Sequence, residues 1–182
     1  RITSSNCAVL SLTENKGYEN ALLEIFDYFS KSDYTHLITA DGDGQHTVTS
    51  IEKALDCISQ QRDLQIAVGE RDRLNRFSER IFSIASFPFL SVSDPLSGLK
   101  IYEKKFICKF LPTEMKINLG TSLLYYAKKT SVEALCFNIE IKSRSGSARV
   151  GSNVSVAFTL LKIFCFYFYH DLINKKSILK AG

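Results

Sequence analysis

A short apolar run, Leu37–Ala40, stops at Asp41-Gly42-Asp43-Gly44-Gln45-His46, and this junction limits what the chain can fold into. The run predicts a buried strand. The interleaved glycines let the backbone turn sharply or come close to a ligand. Asp41, Asp43 and the Gln45 amide oxygen are hard oxygen donors of the kind that suits Mg²⁺, Mn²⁺ or Ca²⁺. In an open α/β sheet, the carboxyl end of a strand is where ligands bind. One reading is therefore a divalent metal at a strand end, holding an anionic ligand. Another is a polar turn closed by Asx hydrogen bonds. A third comes from spacing: Asp41, Asp43, Gln45, Thr47, Thr49 and Glu52 fall at the ligand positions of an EF-hand calcium loop. Against the third, His46 stands where that loop needs glycine, and the incoming HLITA predicts a strand where an EF-hand needs a helix.

The neighbouring segments alternate strand and helix, the pattern of an α/β domain. Arg1–Thr13 contains CAVLSL, expected to be a buried strand. Gly17–Lys31 places Leu22, Ile25, Phe26 and Phe29 on one helical face. Thr47–Gln60 predicts a helix with Ile51, Leu55 and Ile58 inward, capped by Thr47 or by Thr49 with Glu52 in a capping box. Leu64–Val68 predicts a strand, and Gly69-Glu70-Arg71-Asp72-Arg73 a charged loop. Leu74–Phe87 predicts a helix with Phe77, Ile81 and Ile84 inward. Ser91–Gly98 is rich in turn formers, and Pro95 pushes Asp94 out of helical geometry. Strands are expected over Leu99–Tyr102 and Val132–Ile141, and helices over Phe106–Leu111 and Thr121–Lys129.

A chain of 182 residues, 45% hydrophobic and 23% charged, suffices for one domain with a full core. Its net charge of +4 favours phosphates or an anionic membrane but is too small to argue for nucleic acid. The five cysteines form no C-x-x-C and no Cys/His cluster, which argues against zinc or a disulfide framework and for a reducing, cytoplasmic compartment. Val154–Ile173 is apolar nearly all round, dense in Phe and Tyr, and followed by Lys175, Lys176 and Lys180. Its length is close to the roughly 20 residues that span a bilayer. It suits a spanning helix, an interfacial helix or a buried C-terminal helix, and the first two place the chain at a membrane.

Four segments, in order, resemble those of the family 2 glycosyltransferases of GT-A fold, most of all the polyprenyl-phosphate glycosyltransferases and dolichyl-phosphate mannosyltransferases. Asn15-Lys16-Gly17 is similar to the family's N-x-G, and the Asp41–His46 loop to its D-x-D-x-Q-H. Val68-Gly69-Glu70-Arg71 resembles V-G-S-R, and Ser93–Leu99 resembles D-x-x-S-G-F-R. Gly146-Ser147-Ala148-Arg149 is a weaker match to the G-x-S-K/R loop. Leu99-Lys100 stands where the family has Phe-Arg, and no segment matches the family's two opening strands. The resemblance thus implies an α/β chain with a mixed, mainly parallel GT-A sheet lacking its first strands. It divides the chain into a partial catalytic domain over 1–151 and a membrane-associated helix over 152–182.

The implied reaction is metal-dependent, inverting sugar transfer from a UDP- or GDP-sugar to a polyprenyl phosphate or a glycan at the cytoplasmic face of a membrane. By the same resemblance, Asp41, Asp43 and Gln45 hold Mg²⁺ or Mn²⁺ on the donor diphosphate, with His46 beside the sugar or bonded within the turn. Asp94 is the candidate base, with a structural turn residue before Pro95 as the alternative. Arg71 and Arg80 are candidates for phosphates, Arg80 equally for a solvated helix face. Ser97, Gly98 and Arg149 shape the acceptor side, Arg149 in a loop that closes over phosphates or lies plainly on the surface.

Overall fold

The computed structural model describes residues 9–15, 17–72, 74, 77–113, 118–142 and 160–169. Four strands form one mixed sheet in the order β1-β3-β2-β4. They are β1 (His36–Thr39), β2 (Ile66–Arg71), β3 (Lys100–Glu103) and β4 (Leu135–Ile139). β3 lies antiparallel between β1 and β2, and β2 pairs parallel with β4. Strands β1, β2 and β4 therefore run one way and β3 the other. Two of the three pairings are antiparallel, so the sheet is mixed rather than mainly parallel.

Helices cover both faces. Alternation along β2 and β3 sends Ile66, Val68 and Tyr102 to one side, where they join α1 (Tyr18–Lys31), α3 (Phe77–Leu90), α4 (Lys104–Phe110), α5 (Leu119–Lys129) and α6 (residues 160–169) in the main core. Ala67 and Ile101 point the other way, onto Ala54 of α2 (Val48–Gln60) and Leu64. Phe26 meets Tyr102 edge to face at 5.5 Å. Tyr125 stacks on Tyr167 at 4.6 Å, and the Tyr167 hydroxyl lies 2.6 Å from Thr121 Oγ1. These last contacts fasten α6 by Leu160, Ile163 and Tyr167 to the same core. Among the described residues no helix is long and apolar enough to cross a membrane. Cys57, Cys108, Cys136 and Cys165 are free thiols.

In α1 the expected stripe buries Leu22, Phe26 and Phe29, while Ile25 is left exposed at its margin. Thr47 caps α2, accepting from Ser50 N at 3.1 Å, so Thr49 and Glu52 do not form the capping box. The inward face of α2 is Ser50 and Ala54, with Ile58 packed against the Ala54 cluster as expected; Ile51 and Leu55 face out. Small residues allow the helix to approach the sheet, and Ser50 Oγ then donates to the Glu140 carbonyl at 2.9 Å. Helix α3 is likewise reversed from expectation: Phe77, Ile81 and Ile84 are exposed, and Phe82, Ser83, Ser86 and Leu90 are buried.

Strand β2 runs on through Gly69, Glu70 and Arg71, which read as a loop in the sequence, because β4 pairs with them as far as Arg71. A Cβ on Gly69 would meet Ile139 Cγ2 at 2.9 Å, so only glycine fits this crossing. The described part of CAVLSL, residues 9–12, is not a strand, and Val9 and Leu10 are exposed. The loop carrying Arg149 and half of the C-terminal apolar segment, residues 154–159 and 170–173, lie outside the described residues.

Two substitutions separate the real core from the apparent one. Phe26→Ala removes a fully buried ring and is expected to cost about 3–5 kcal/mol in a denaturant titration. Ile84→Ser, on a position that periodicity places inside, is expected to stay within about 0.5 kcal/mol of wild type.

Candidate functional site

Strand direction gathers the motifs. β1, β2 and β4 all end at one edge of the sheet, and the reversed strand β3 begins there. Asp41 follows β1, Arg71 closes β2, and Ser93–Leu99 leads into Lys100 at the start of β3. Lys100 pairs with Thr39 on one side and Val68 on the other. His46 bridges to Ile141 just after β4.

The centre of this edge is an ion pair. Asp94, 2% exposed, accepts from Arg71 Nε at 2.6 Å on Oδ2 and from Nη2 at 2.9 Å on Oδ1. The Arg71 backbone N–H adds a third bond at 3.2 Å. Glu79 of α3 accepts from the same Nη2 at 3.4 Å, and Glu70 Oε1 holds the Ser93 N–H at 2.7 Å. Burial disfavours the Arg71 cation, but the Asp94 bond and charge outweigh it and hold its pKa above the ordinary value.

Lys100 is the residue the sequence reading undervalued. Its side chain is buried, and Nζ donates to the Ser97 carbonyl. Burial pulls its pKa down to about 8, against the opposing pull of Asp94 and Asp41, with Arg71 adding to the fall. A charged residue between Leu99 and Ile101 in a strand pattern was the available signal.

Asp41 joins from the β1 side. Its carboxylate is about half exposed and lies 3.9 Å from His46 Nε2. The His46 ring holds the Asp41 carboxyl below its ordinary range, over the opposing effect of burial, with Lys100 and Arg71 contributing. A Cβ on Gly98 would collide with the Asp41 carboxylate. Glycine at 98 is thus what lets the two loops touch, and Thr39 Oγ1 ties them by donating to the Gly98 carbonyl at 3.1 Å. Ser97 is buried, its Oγ accepting from Leu99 N at 3.3 Å.

The other candidates are placed differently. Asp43 Oδ1 accepts from Gln45 N at 3.1 Å, the Asx bond of a turn, and Gly44 has the positive φ of 78° that this turn needs. Gln45 Nε2 reaches the Lys142 carbonyl at 3.4 Å. His46 Nδ1 is buried without a hydrogen-bond partner among the described residues. Arg80 is exposed on the outward side of α3, apart from this network.

The donor set fits a hard divalent cation in one particular way. Among the described residues no three His, Cys, Asp or Glu side chains converge into an all-protein metal cage. Mg²⁺ is commonly held by one or two carboxylates together with substrate phosphates, and a half-exposed Asp41 kept ionised beside two cations suits that arrangement. Compared with models of known protein families and with curated protein sequences, the chain matches none.

Asp94→Asn removes the nearer of the two counter-charges of the Arg71 cation and is expected to cost about 3 kcal/mol in a denaturant titration. Lys100 supplies a pH test. Its folded pKa of about 8 lies below the unfolded value near 10.5, so across that window the unfolded chain binds more protons. Wild-type stability is therefore expected to rise relative to Lys100→Met as pH climbs from 8 to 10.5, measured by paired urea titrations.

Proposed function

We propose that this chain is a metal-dependent, inverting glycosyltransferase that moves a sugar from a UDP- or GDP-sugar to a lipid phosphate at a membrane face. The observation that carries this reading is the meeting of three separated segments at one end of the sheet: Asp41 touches Gly98, Arg71 pairs with Asp94, and Lys100 lies in the fields of both Asp41 and Asp94. Asp41, Arg71 and Asp94–Gly98 belong to three of the four segments on which the family resemblance rests. A mixed α/β sheet with helices on both faces is compatible with the GT-A fold it implies.

In this reading Asp41 holds Mg²⁺ or Mn²⁺, with Asp43 and Gln45 as further oxygen donors from the same loop. A metal held there would supply Lewis-acid stabilisation of the departing diphosphate. Arg71 and Lys100 place two cations behind that position and favour an anionic ligand. Gly98 sets the distance between the Asp41 loop and the acceptor side. Asp94 serves as a positioning residue. Both its oxygens are taken by Arg71 and it is almost wholly buried, so it is poorly placed to take a proton from an acceptor hydroxyl. A lipid phosphate arrives already ionised and needs no base, which favours it over a glycan hydroxyl. The calcium reading of Asp41–Glu52 has the entering strand His36–Thr39 against it.

A melting assay tests this. With Mn²⁺ present, UDP or GDP at about a hundred times its dissociation constant is expected to raise Tm by roughly 5–10 °C, and Asp41→Asn to abolish the rise. No stabilisation by either nucleotide with the metal would overturn the reading.

A further inference from the structure

Helix α3 is built inside out. Over its 14 residues the buried arc contains Phe82, Ser83, Ser86 and Leu90, so two of its four members are serines. The opposite arc carries Phe77 at 77% exposure, Ile81 at 53%, Ile84 at 78% and Phe87 at 51%. A surface helix normally shows the reverse polarity. The serines are held inside by function of place rather than by apolar burial: Ser83 Oγ donates to the Ser93 carbonyl, one residue from Asp94. Glu79, the acid of this helix, turns inward to Arg71. The outward arc is left with four large apolar side chains, Pro88 and one charged residue, the exposed Arg80 at its margin.

We propose that this outward arc of α3 is a docking surface for an anionic lipid bilayer. Three observations select that occupant. First, the arc combines aromatic and aliphatic side chains with a cation and no acid, the composition of helices that lie in a membrane interface, where Arg extends its head to the phosphates. Second, α6 lies against α3, Phe89 and Phe164 meeting edge to face at 5.7 Å, and exposes Leu161, Phe168 and Tyr169 of its own. Third, a strip along a helix of this length, about 20 Å by 10 Å, offers roughly 200 Å², well below the roughly 800 Å² per partner of a stable protein interface. A bilayer needs no such area and no shape match. The chain's net charge of +4 has the matching sign. Docking by α3 also sets the Arg71–Asp94 edge, to which its inner face is bonded, close to the headgroups.

This surface serves the membrane-borne acceptor of the reading above, yet its experiment contains no nucleotide, so the two fail separately. The whole chain is sedimented with vesicles of phosphatidylcholine alone and of phosphatidylcholine with phosphatidylglycerol in a two-to-one mixture. Binding is expected to the mixed vesicles, and Ile81→Ser with Ile84→Ser is expected to weaken it by about tenfold or more at an unchanged Tm. Arg80→Gln is expected to weaken binding to the mixed vesicles alone, by about fivefold. Should the double variant melt early, Ile84→Ser alone makes the same comparison. Vesicle binding indifferent to these changes overturns the proposal, as does a wild type that ignores vesicles but self-associates through the same residues in light scattering.

Discussion

The pairing of Arg71 with Asp94 is the contact on which the rest of the architecture turns. An ion pair this buried does not hold a fold together by attraction alone, because removing two charges from water costs several kcal/mol per ion. It persists here because every partner is oriented. The carboxylate takes two guanidinium bonds and one backbone bond, and the guanidinium shares its Nη2 between Asp94 and Glu79. The consequence is positional. The end of β2, the Ser93–Leu99 segment and the inner face of α3 are fixed to one another, and the start of β3 follows from them.

That constraint explains why Lys100 tolerates its surroundings. A lysine in the middle of a sheet is costly, and burial lowers its pKa. Two carboxylates, Asp94 and Asp41, oppose the fall, while Arg71 adds to it. The two cations of the site, Arg71 and Lys100, thus sit among three carboxylates, Asp94, Asp41 and Glu79. In the reading proposed above, an anionic ligand at the exposed side of Asp41 would share a divalent ion with that carboxylate, with the two cations behind it.

The legible part of the molecule was its punctuation. Gly98, Gly69 and the Asp41–His46 loop stand out because glycine and Asx residues mark turns and close approaches, and the coordinates use Gly98 and Gly69 for close approach. What periodicity misread were helices whose inward faces are chosen by hydrogen bonds. Ser50 bonds the Glu140 carbonyl and Ser83 the Ser93 carbonyl, and each pins its helix with large apolar residues outward. A hydrophobic pattern cannot register that choice, since it ranks side chains by apolarity while the fold ranks these faces by polar anchorage. Gly69–Arg71 failed for a related reason. Its polar residues read as loop, yet their backbone is claimed by a parallel partner more than sixty residues away. The roles of Arg71 and Asp94 were also visible only singly. Each was a candidate for its own ligand, and nothing local in the sequence says that they would satisfy one another.

The reversed polarity of α3 and the charge network below it have one cause. Glu79 and Ser83 are committed inward, to Arg71 and to the Ser93 carbonyl, and a helix whose polar residues are spent on the site must present its apolar ones elsewhere. In water alone this arrangement is unfavourable, because roughly 25 cal/mol per Å² of apolar surface stays hydrated. Turning the helix over would bury Ile81 and Ile84 but strip Arg71 of one flanking carboxylate and leave Ser83 without its acceptor. A bilayer on the outer arc, as proposed above, would remove the conflict without changing the inner face. The polar inner face and the apolar outer face of α3 are then two consequences of a single helix orientation, chosen by the polar contacts.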